Sequence, residues 1–308
     1  MLRPKISFII VTYNSAVFIR NCLLSIKKHV TVPYEIIIID NYSEDKTCQE
    51  IERVLNKDDL IINMNSYDNT GNSFKRSSHI FIKSSRNLGF AKANNIGVRY
   101  SSGEVLFFLN PDTLLTENGI IKLYEFLVKN SNLGAVAPRL EFFNGEFQPS
   151  CRAFFHPRMI FYEILKTLKI KIDHIEKKQW NSYDTILKQA SSPIKVEQPM
   201  AAALMIKKAV LDEIGLFDEQ FDLFFNDVDL CYRISKYYEI WFFPEVVIKH
   251  YKGHSIYSNR VYSLKKSCNN MILYVKKHYY AKNTFFIWVI IIKLLFQMRI
   301  LSVKMCCK

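Results

Sequence analysis

The residues Val105–Asp112, Val-Leu-Phe-Phe-Leu-Asn-Pro-Asp, constrain this chain more than any others. Five consecutive apolar residues between polar neighbours are the pattern of a strand buried on both faces, as in a sheet covered by helices. Pro111 has no N–H to give a ladder, so pairing stops there and leaves Asn110 and Asp112 at the strand's carboxyl end. In an open α/β sheet, ligands bind at that end. A carboxylate and a carboxamide two residues apart offer hard oxygen ligands for a divalent cation and its phosphates. Taken alone, Asn-Pro-Asp favours a plainer reading, an Asx-type turn capping the next helix. The rest of the chain reverses that balance.

Ile6–Thr12 is a similar apolar run that closes on Tyr13-Asn14-Ser15, where Asn14 or Ser15 can cap a helix over 16–29. Tyr34–Asp40 is a second buried strand that ends in a carboxylate. Strand, helix and strand at this spacing form a right-handed βαβ unit. His79–Lys83 reads as a strand, followed by an Ala/Asn-rich helix that ends near Gly103. Helices are expected over Thr116–Asn130, Met159–Ile172, Lys208–Ile214 and Val228–Tyr237. Strands are expected at Gly134–Pro138, Met200–Ile206, Ile240–Phe243 and Val246–His250, the last two parted by Pro244. Phe143-Asn144-Gly145-Glu146 reads as a hairpin turn. The polar stretch Asp58–Ser78 reads as a surface excursion with no chemistry.

With 308 residues there is room for one large α/β domain or two small ones. The formal net charge of +13 is concentrated late, because no acidic residue follows Glu245. Such a tail wants an anionic partner, nucleic acid or an acidic membrane surface. Thr284–Phe296 is nearly all apolar yet shorter than the ~20 residues of a spanning helix, and Lys293 interrupts it. A helix lying in the membrane interface is expected, with burial against the protein as the alternative. The chain enters a strand almost at once, without an apolar signal segment. Its seven scattered cysteines contain no Cys-x-x-Cys pair, which speaks for a reducing cytosol and against a zinc or disulfide framework.

Three strand ends thus supply acceptors: Thr12 with Asn14, Asp40, and Asn110 with Asp112. Neither G-x-x-x-x-G-K-[ST] nor G-x-G-x-x-G occurs, so diphosphate charge must be met by a metal or by Arg and Lys. Asp40 is placed either to accept the N3–H of a pyrimidine base or to cap a helix. A second constellation, Phe217 to Leu230, sets carboxylates among aromatics at a helix start. Asp227 and Asp229 would point about 200° apart on a helix, so only one faces a ligand. The site suits a general base acting on a hydroxyl, or an acidic first turn that merely caps. His250 ends the last short strand, and Gly253 behind it allows close approach of a phosphate or metal.

With these residues collected, the chain resembles the inverting glycosyltransferases of family 2, a GT-A fold, and most of all their bacterial rhamnosyltransferase-like branch. The resemblance runs from about Ile6 to Ser255. It rests on Val11-Thr12-Tyr13-Asn14, Asp40-Asn41-Tyr42-Ser43 with Asp45, Asn87-Leu88-Gly89-Phe90, Asn94-Asn95-Ile96-Gly97 and Leu109-Asn110-Pro111-Asp112-Thr113. It continues through Asn144 to Ser150, Gly215 to Glu219, Asn226 to Cys231, and His250. Nine such motifs in order make chance a poor explanation.

The resemblance implies a Rossmann-like, mostly parallel central sheet with helices on both faces. Residues 1–254 would form the GT-A domain, with a nucleotide-sugar half at 1–140 and an acceptor and base half at 141–254. Residues 255–308 would be a basic, apolar, membrane-associating helical segment. Thr12, Tyr13, Asn14, Asp40, Arg86, Asn87 and Asn110 would hold the donor nucleotide. Asp112 and His250 would hold Mg²⁺ or Mn²⁺, and Asp227 would be the catalytic base. Asn110 stands where the wider family has Asp, and Asn226 where the branch commonly has Glu. Asn226 and Asp229 are therefore candidates for acceptor contact or support. The implied partners are a nucleoside-diphosphate sugar, first dTDP-L-rhamnose, a polyprenyl-diphosphate-linked saccharide and an anionic membrane surface, without nucleic acid. The implied place is the cytoplasmic face of the bacterial inner membrane, in O-antigen or capsule assembly. Two rivals are a sugar-nucleotide nucleotidyltransferase and a basic membrane- or nucleic-acid-binding protein with a decayed site.

Overall fold

The computed structural model describes residues 4–64, 79–156, 183–251, 260–279 and 285–306. Its first half alternates strand and helix: β1 (Ile6–Thr12), α1 (Ile19–His29), β2 (Tyr34–Asp40), α2 (Thr47–Glu52), β3 (Leu60–Met64), β4 (His79–Ser84), α3 (Phe90–Tyr100) and β5 (Val105–Leu109). These five strands are parallel, in the order β3-β4-β2-β1-β5. The order reverses at β1, which lies between β2 and β5, and such a switch point opens a crevice at the strands' carboxyl ends. Thr12 pairs with Asp40, and Ile9 with Phe108, so the three strand ends finish on one rim.

The second half is mixed. It comprises β6 (Thr113–Leu115), α4 (Ile120–Lys129), β7 (Leu133–Glu141), β8 (Cys151–Arg152), α5 (Asp184–Gln189), β9 (Ile194–Lys195), β10 (Gln198–Pro199), β11 (Ala203–Lys207), α6 (Lys208–Ile214), α7 (Asn226–Ile234) and β12 (Glu239–His250). β11 runs antiparallel between β5 and β7, and β12 is parallel to β7 and antiparallel to β6. In this half the antiparallel pairings to the main sheet path are thus those of β11 and β6, while β7 and β12 run parallel to each other. Two helices, α8 (Arg260–Tyr279) and α9 (Phe285–Cys306), complete the chain's described elements.

Alternation along β1 feeds two cores. Ile6, Phe8 and Ile10 face α1 and α4, while Ile9 joins Ile37 and Ile39 beneath α3. Gly97 sets how close α3 can come. A Cβ there would lie 2.6 Å from Ile9 Cγ2 and 2.9 Å from Ile39 Cδ1. A third core joins Phe221, Phe225 and Val228 to Met271, Tyr274, Ile292 and Leu295 of the last two helices.

Several expectations change. Residues 60–64 are not surface excursion but the edge strand β3, whose side chains are only half-buried, which explains its polar look. The two short strands around Pro244 are one, β12, with a register shift between Phe243 and Val247 that lets proline sit without breaking the ladder. The hairpin at 142–147 is present, with Gly145 at φ 87°. The helix expected at Met159–Ile172 lies outside the described residues. Among the described residues no helix is long and apolar enough to cross a membrane.

Filling the Gly97 contact should loosen the packing of α3 on β1 and β2. Gly97→Val is expected to lower stability by about 1–3 kcal/mol through overpacking, read as a reduced urea midpoint at unchanged m-value.

Candidate active site

The loops after β1 and β2 are built as one unit. Thr12 Oγ1 donates to Asp40 Oδ1 at 3.0 Å, and the Ser43 N–H donates to Asp40 Oδ2 at 3.0 Å. The Asn14 N–H donates to Ser43 Oγ at 2.9 Å, and Asn14 Oδ1 accepts the Glu44 N–H at 2.9 Å. Asn14 and Tyr42 both hold left-handed backbone, at φ 48° and 71°. Such strain persists only where neighbours over-determine it. Thr12 is fully buried and acts by holding Asp40. A carboxylate has about four lone-pair sites, so the bonds from Thr12 and Ser43 do not exhaust Asp40 as an acceptor. Tyr13 and Tyr42 are exposed beside it, at 41% and 47%.

The remaining donor-side residues divide. Asn87 Oδ1 accepts both Asn41 Nδ2 and the Gly89 N–H at 3.0 Å, so its side chain shapes the turn into α3. Arg86 is exposed, and its guanidinium makes no ion pair among the described residues.

Asp112 and His250 meet because β6 pairs with the end of β12, and the Tyr251 N–H donates to the Asp112 carbonyl at 3.1 Å. His250 Nε2 lies 3.3 Å from Asp112 Oδ1 and 3.4 Å from Asn110 Nδ2. Gln148 decides the tautomer. Its Nε2 donates to the His250 carbonyl at 3.1 Å, so its Oε1 is the acceptor 2.6 Å from His250 Nδ1. The proton therefore sits on Nδ1, and the Nε2 lone pair faces a carboxylate oxygen. Two electron-rich atoms at that distance need positive charge between them, a proton or a shared cation. One imidazole and one carboxylate thus fit a divalent cation. No group of three or more His, Cys, Asp or Glu converges among the described residues, so further ligands would be diphosphate oxygens and water.

The candidate base stands at the start of α7. Phe225 precedes it at φ 65°, again left-handed. Asn226 Oδ1 accepts the Asp227 N–H at 2.8 Å, leaving Asn226 Nδ2 buried without a partner among the described residues. Asp227 is partly exposed, with Oδ1 accepting the Val228 N–H at 2.9 Å and Oδ2 facing the Ala201 N–H at 3.5 Å. Desolvation pushes its carboxyl above the usual range, opposed by Arg152 and these N–H groups.

Asp229 is the opposite case. It has no exposed side-chain surface and receives His278 Nε2 at 2.7 Å, Lys277 Nζ at 2.8 Å and Arg233 Nε at 2.9 Å. Burial alone would raise it, but His278, Arg233 and Lys277 hold it down to about 2. Of the two aspartates, Asp227 is thus available to a ligand and Asp229 is locked.

The strand end that carries Asp112 and the helix start that carries Asp227 are linked by one dipeptide. The Asn110 N–H donates to the Ala202 carbonyl at 2.9 Å, and the neighbouring Ala201 N–H addresses Asp227. Neither Asp112 nor Asp227 is sealed from solvent. Gln148, Arg152, Lys277 and His278 carry parts that the sequence did not disclose. Only Gln148 lay in a flagged motif, without a role.

The chain is similar to known proteins. A model of "Glycosyl transferase family 2" matches residues 7–213. The chain belongs to glycosyl transferase family 2. Its curated relatives are of modest identity. It is 24% identical over 237 residues to the low-salt glycan biosynthesis hexosyltransferase Agl10 of Haloferax volcanii, covering 75% of this chain and 62% of that one. It is 23% identical over 206 residues to the dTDP-rhamnosyl transferase RfbF of Shigella flexneri, covering 65% and 60%. The chain thus spans less than two thirds of these relatives' lengths. The GT-A fold is shared with the mannosyltransferase PcManGT of Pyrobaculum calidifontis, solved with GDP-Man and Mn²⁺, at a TM-score of 0.56 and 16% identity over 100% of this chain and 77% of that one. At that identity the likeness is one of fold.

The Asp229 lock in this family 2 chain has a pH signature. A carboxyl held near 2, against an unfolded value of 3.8, stabilises fully above pH 4 and loses that contribution as pH falls toward 2. Asp229→Asn should cost about 2–4 kcal/mol at pH 7, the gap from wild type closing below pH 4 in urea titrations.

Proposed function

We propose that this protein transfers a sugar from a nucleoside-diphosphate donor to an acceptor hydroxyl with inversion at the anomeric carbon. The observation that supports this reading most is the Ala201–Ala202 bridge, which links Asp227 to Asn110 at the strand end leading to Asp112. Asp40, supported by Thr12, takes the nucleotide base, with Tyr13 flanking it and Arg86 toward the phosphates. Mg²⁺ or Mn²⁺ held by Asp112 and His250 would offset charge building on the leaving diphosphate. Asp227 accepts the proton of the acceptor hydroxyl as its oxygen bonds to the anomeric carbon. The bond from that carbon to the diphosphate breaks on the opposite side, and no sugar–enzyme bond forms. Asn226 offers a buried N–H donor beside the base where the rhamnosyltransferase-like branch commonly has a carboxylate.

The donor to try first is dTDP-L-rhamnose, which the branch resemblance and the Shigella relative support. The acceptor is read as a polyprenyl-diphosphate-linked saccharide, used for O-antigen or capsule at the cytoplasmic face of a bacterial inner membrane. The apolar and basic surface of the last helix supports a membrane over nucleic acid.

Asp227→Asn should keep nucleotide affinity and lose about 10²–10⁴ in transfer rate. Near-normal turnover of that variant overturns the assignment. Because burial raises the Asp227 carboxyl and the base must be ionised, the acidic limb of kcat/KM should lie above the ordinary carboxylate range, with activity falling as pH drops through it. Gln148→Ala should weaken Mn²⁺ binding, read by paramagnetic resonance in the absence of donor, by about 10–100-fold.

A further inference from the structure

Between α8 and α9 runs a groove of about 410 Å³ that the transfer chemistry does not use. Ile272, Phe285 and Val289 form its apolar wall, and Lys276 and Lys293 bring an ammonium group from each helix. The nearby acids are already engaged: Asp222 by Lys266, and Asp218 and Asp229 by Lys277. That leaves Lys276 and Lys293 without an acidic partner among the described residues, and no acid follows Glu245 in the sequence. Beside the groove α9 turns an apolar stripe to solvent. Phe286 is 74% exposed, Ile287 55%, Ile290 59% and Leu294 53%. Two cations above an apolar wall, next to an apolar stripe, form an amphiphilic surface.

We infer that this groove seats the phosphate headgroup of an anionic phospholipid and docks the protein on an anionic bilayer surface. Lys276 and Lys293 meet the phosphate, and the stripe enters the headgroup and acyl boundary, as an interfacial helix does. Charge selects this occupant. A second copy docking by the same face would bring four unpaired ammonium groups together. A nucleic acid would leave Phe286, Ile290 and Leu294 facing water.

The placement has a consequence for the site. One face of α8 lines the groove, while Tyr274, Lys277 and His278 of the same helix hold the segment that carries Asp227. A bilayer seated on the groove is thus connected through one helix to the catalytic segment. This deepens, and rests on, the proposed reaction with a lipid-linked acceptor.

The test is flotation of the full chain with vesicles of phosphatidylcholine alone or mixed with phosphatidylglycerol. Wild type should float with the anionic vesicles only. Lys276→Gln with Lys293→Gln should weaken that partition by about 30-fold, roughly fivefold per lysine. Ile290→Ser with Leu294→Ser should abolish it, with circular dichroism confirming the fold. Lys28→Gln with Lys57→Gln, two exposed lysines elsewhere, should float as wild type does. Equal flotation of the Lys276/Lys293 variant, equal loss in the Lys28/Lys57 variant, or equal binding to neutral vesicles overturns the inference. So does a wild-type dimer, by light scattering, that Ile290→Ser with Leu294→Ser converts to monomer. The lysine variant should still transfer sugar to a water-soluble acceptor, whereas Asp227→Asn should float normally without transfer, so failure of either idea is seen separately.

Discussion

The site depends on one antiparallel strand inserted into a parallel sheet. β11 lies between β5 and β7, and its pairing with β5 begins with Ala203 opposite Leu109. The two residues before Ala203 therefore lie beside Asn110, at the carboxyl end of the strand that leads to Asp112. The Ala202 carbonyl takes the Asn110 N–H, and the Ala201 N–H is left for Asp227. A parallel strand at that position would bring its carboxyl end, not its start, to the rim. The reversal is what allows residues more than a hundred positions apart to face one crevice.

That crevice is held open by loops in unfavourable backbone. Among the described residues the left-handed non-glycine positions are Asn14, Tyr42 and Phe225, each at a loop or helix start. Each such residue costs of order 1–3 kcal/mol. The expense is met locally: Asn14 by its bonds to Ser43 and Glu44, and Phe225 by packing against Tyr274 at a centroid distance of 5.5 Å. Loops fixed this way present Asp40 and Asp227 with little reorganisation, which is how electrostatic preorganisation lowers a barrier.

What could be read from the sequence follows from what kind of contact each feature needs. β1, β2 and β5 were legible because a strand buried on both faces is a continuous apolar run. β3 was not, because a half-buried edge strand among polar residues lacks that signal. Pro244 looked like a break because proline normally ends a ladder, yet a register shift absorbs it. Asp112, His250 and Asp227 were legible as residue types at strand and helix ends, with family resemblance to order them. Gln148 was not, because its role is a bond to a residue 102 positions away. Nor was the clasp of Lys277 and His278 on Asp229, which depends on how α8 lies against α7.

The pair Asp227 and Asp229 shows why neighbouring identical residues take different work. Helical geometry points them apart, so one meets the crevice and the other the third core. In the crevice, desolvation dominates, opposed by Arg152 and backbone N–H groups, so the carboxyl is pushed above its ordinary value. In the core, the His278 hydrogen bond and the Arg233 and Lys277 cations over-compensate burial, and the carboxylate is pinned in its charged form. A pinned charge cannot exchange protons with a substrate, but it ties α7 to α8 without freedom to drift. Exchanging the surroundings would exchange the roles. It is helix α8, through Lys277 and His278, that anchors Asp229 and leaves Asp227 to the crevice.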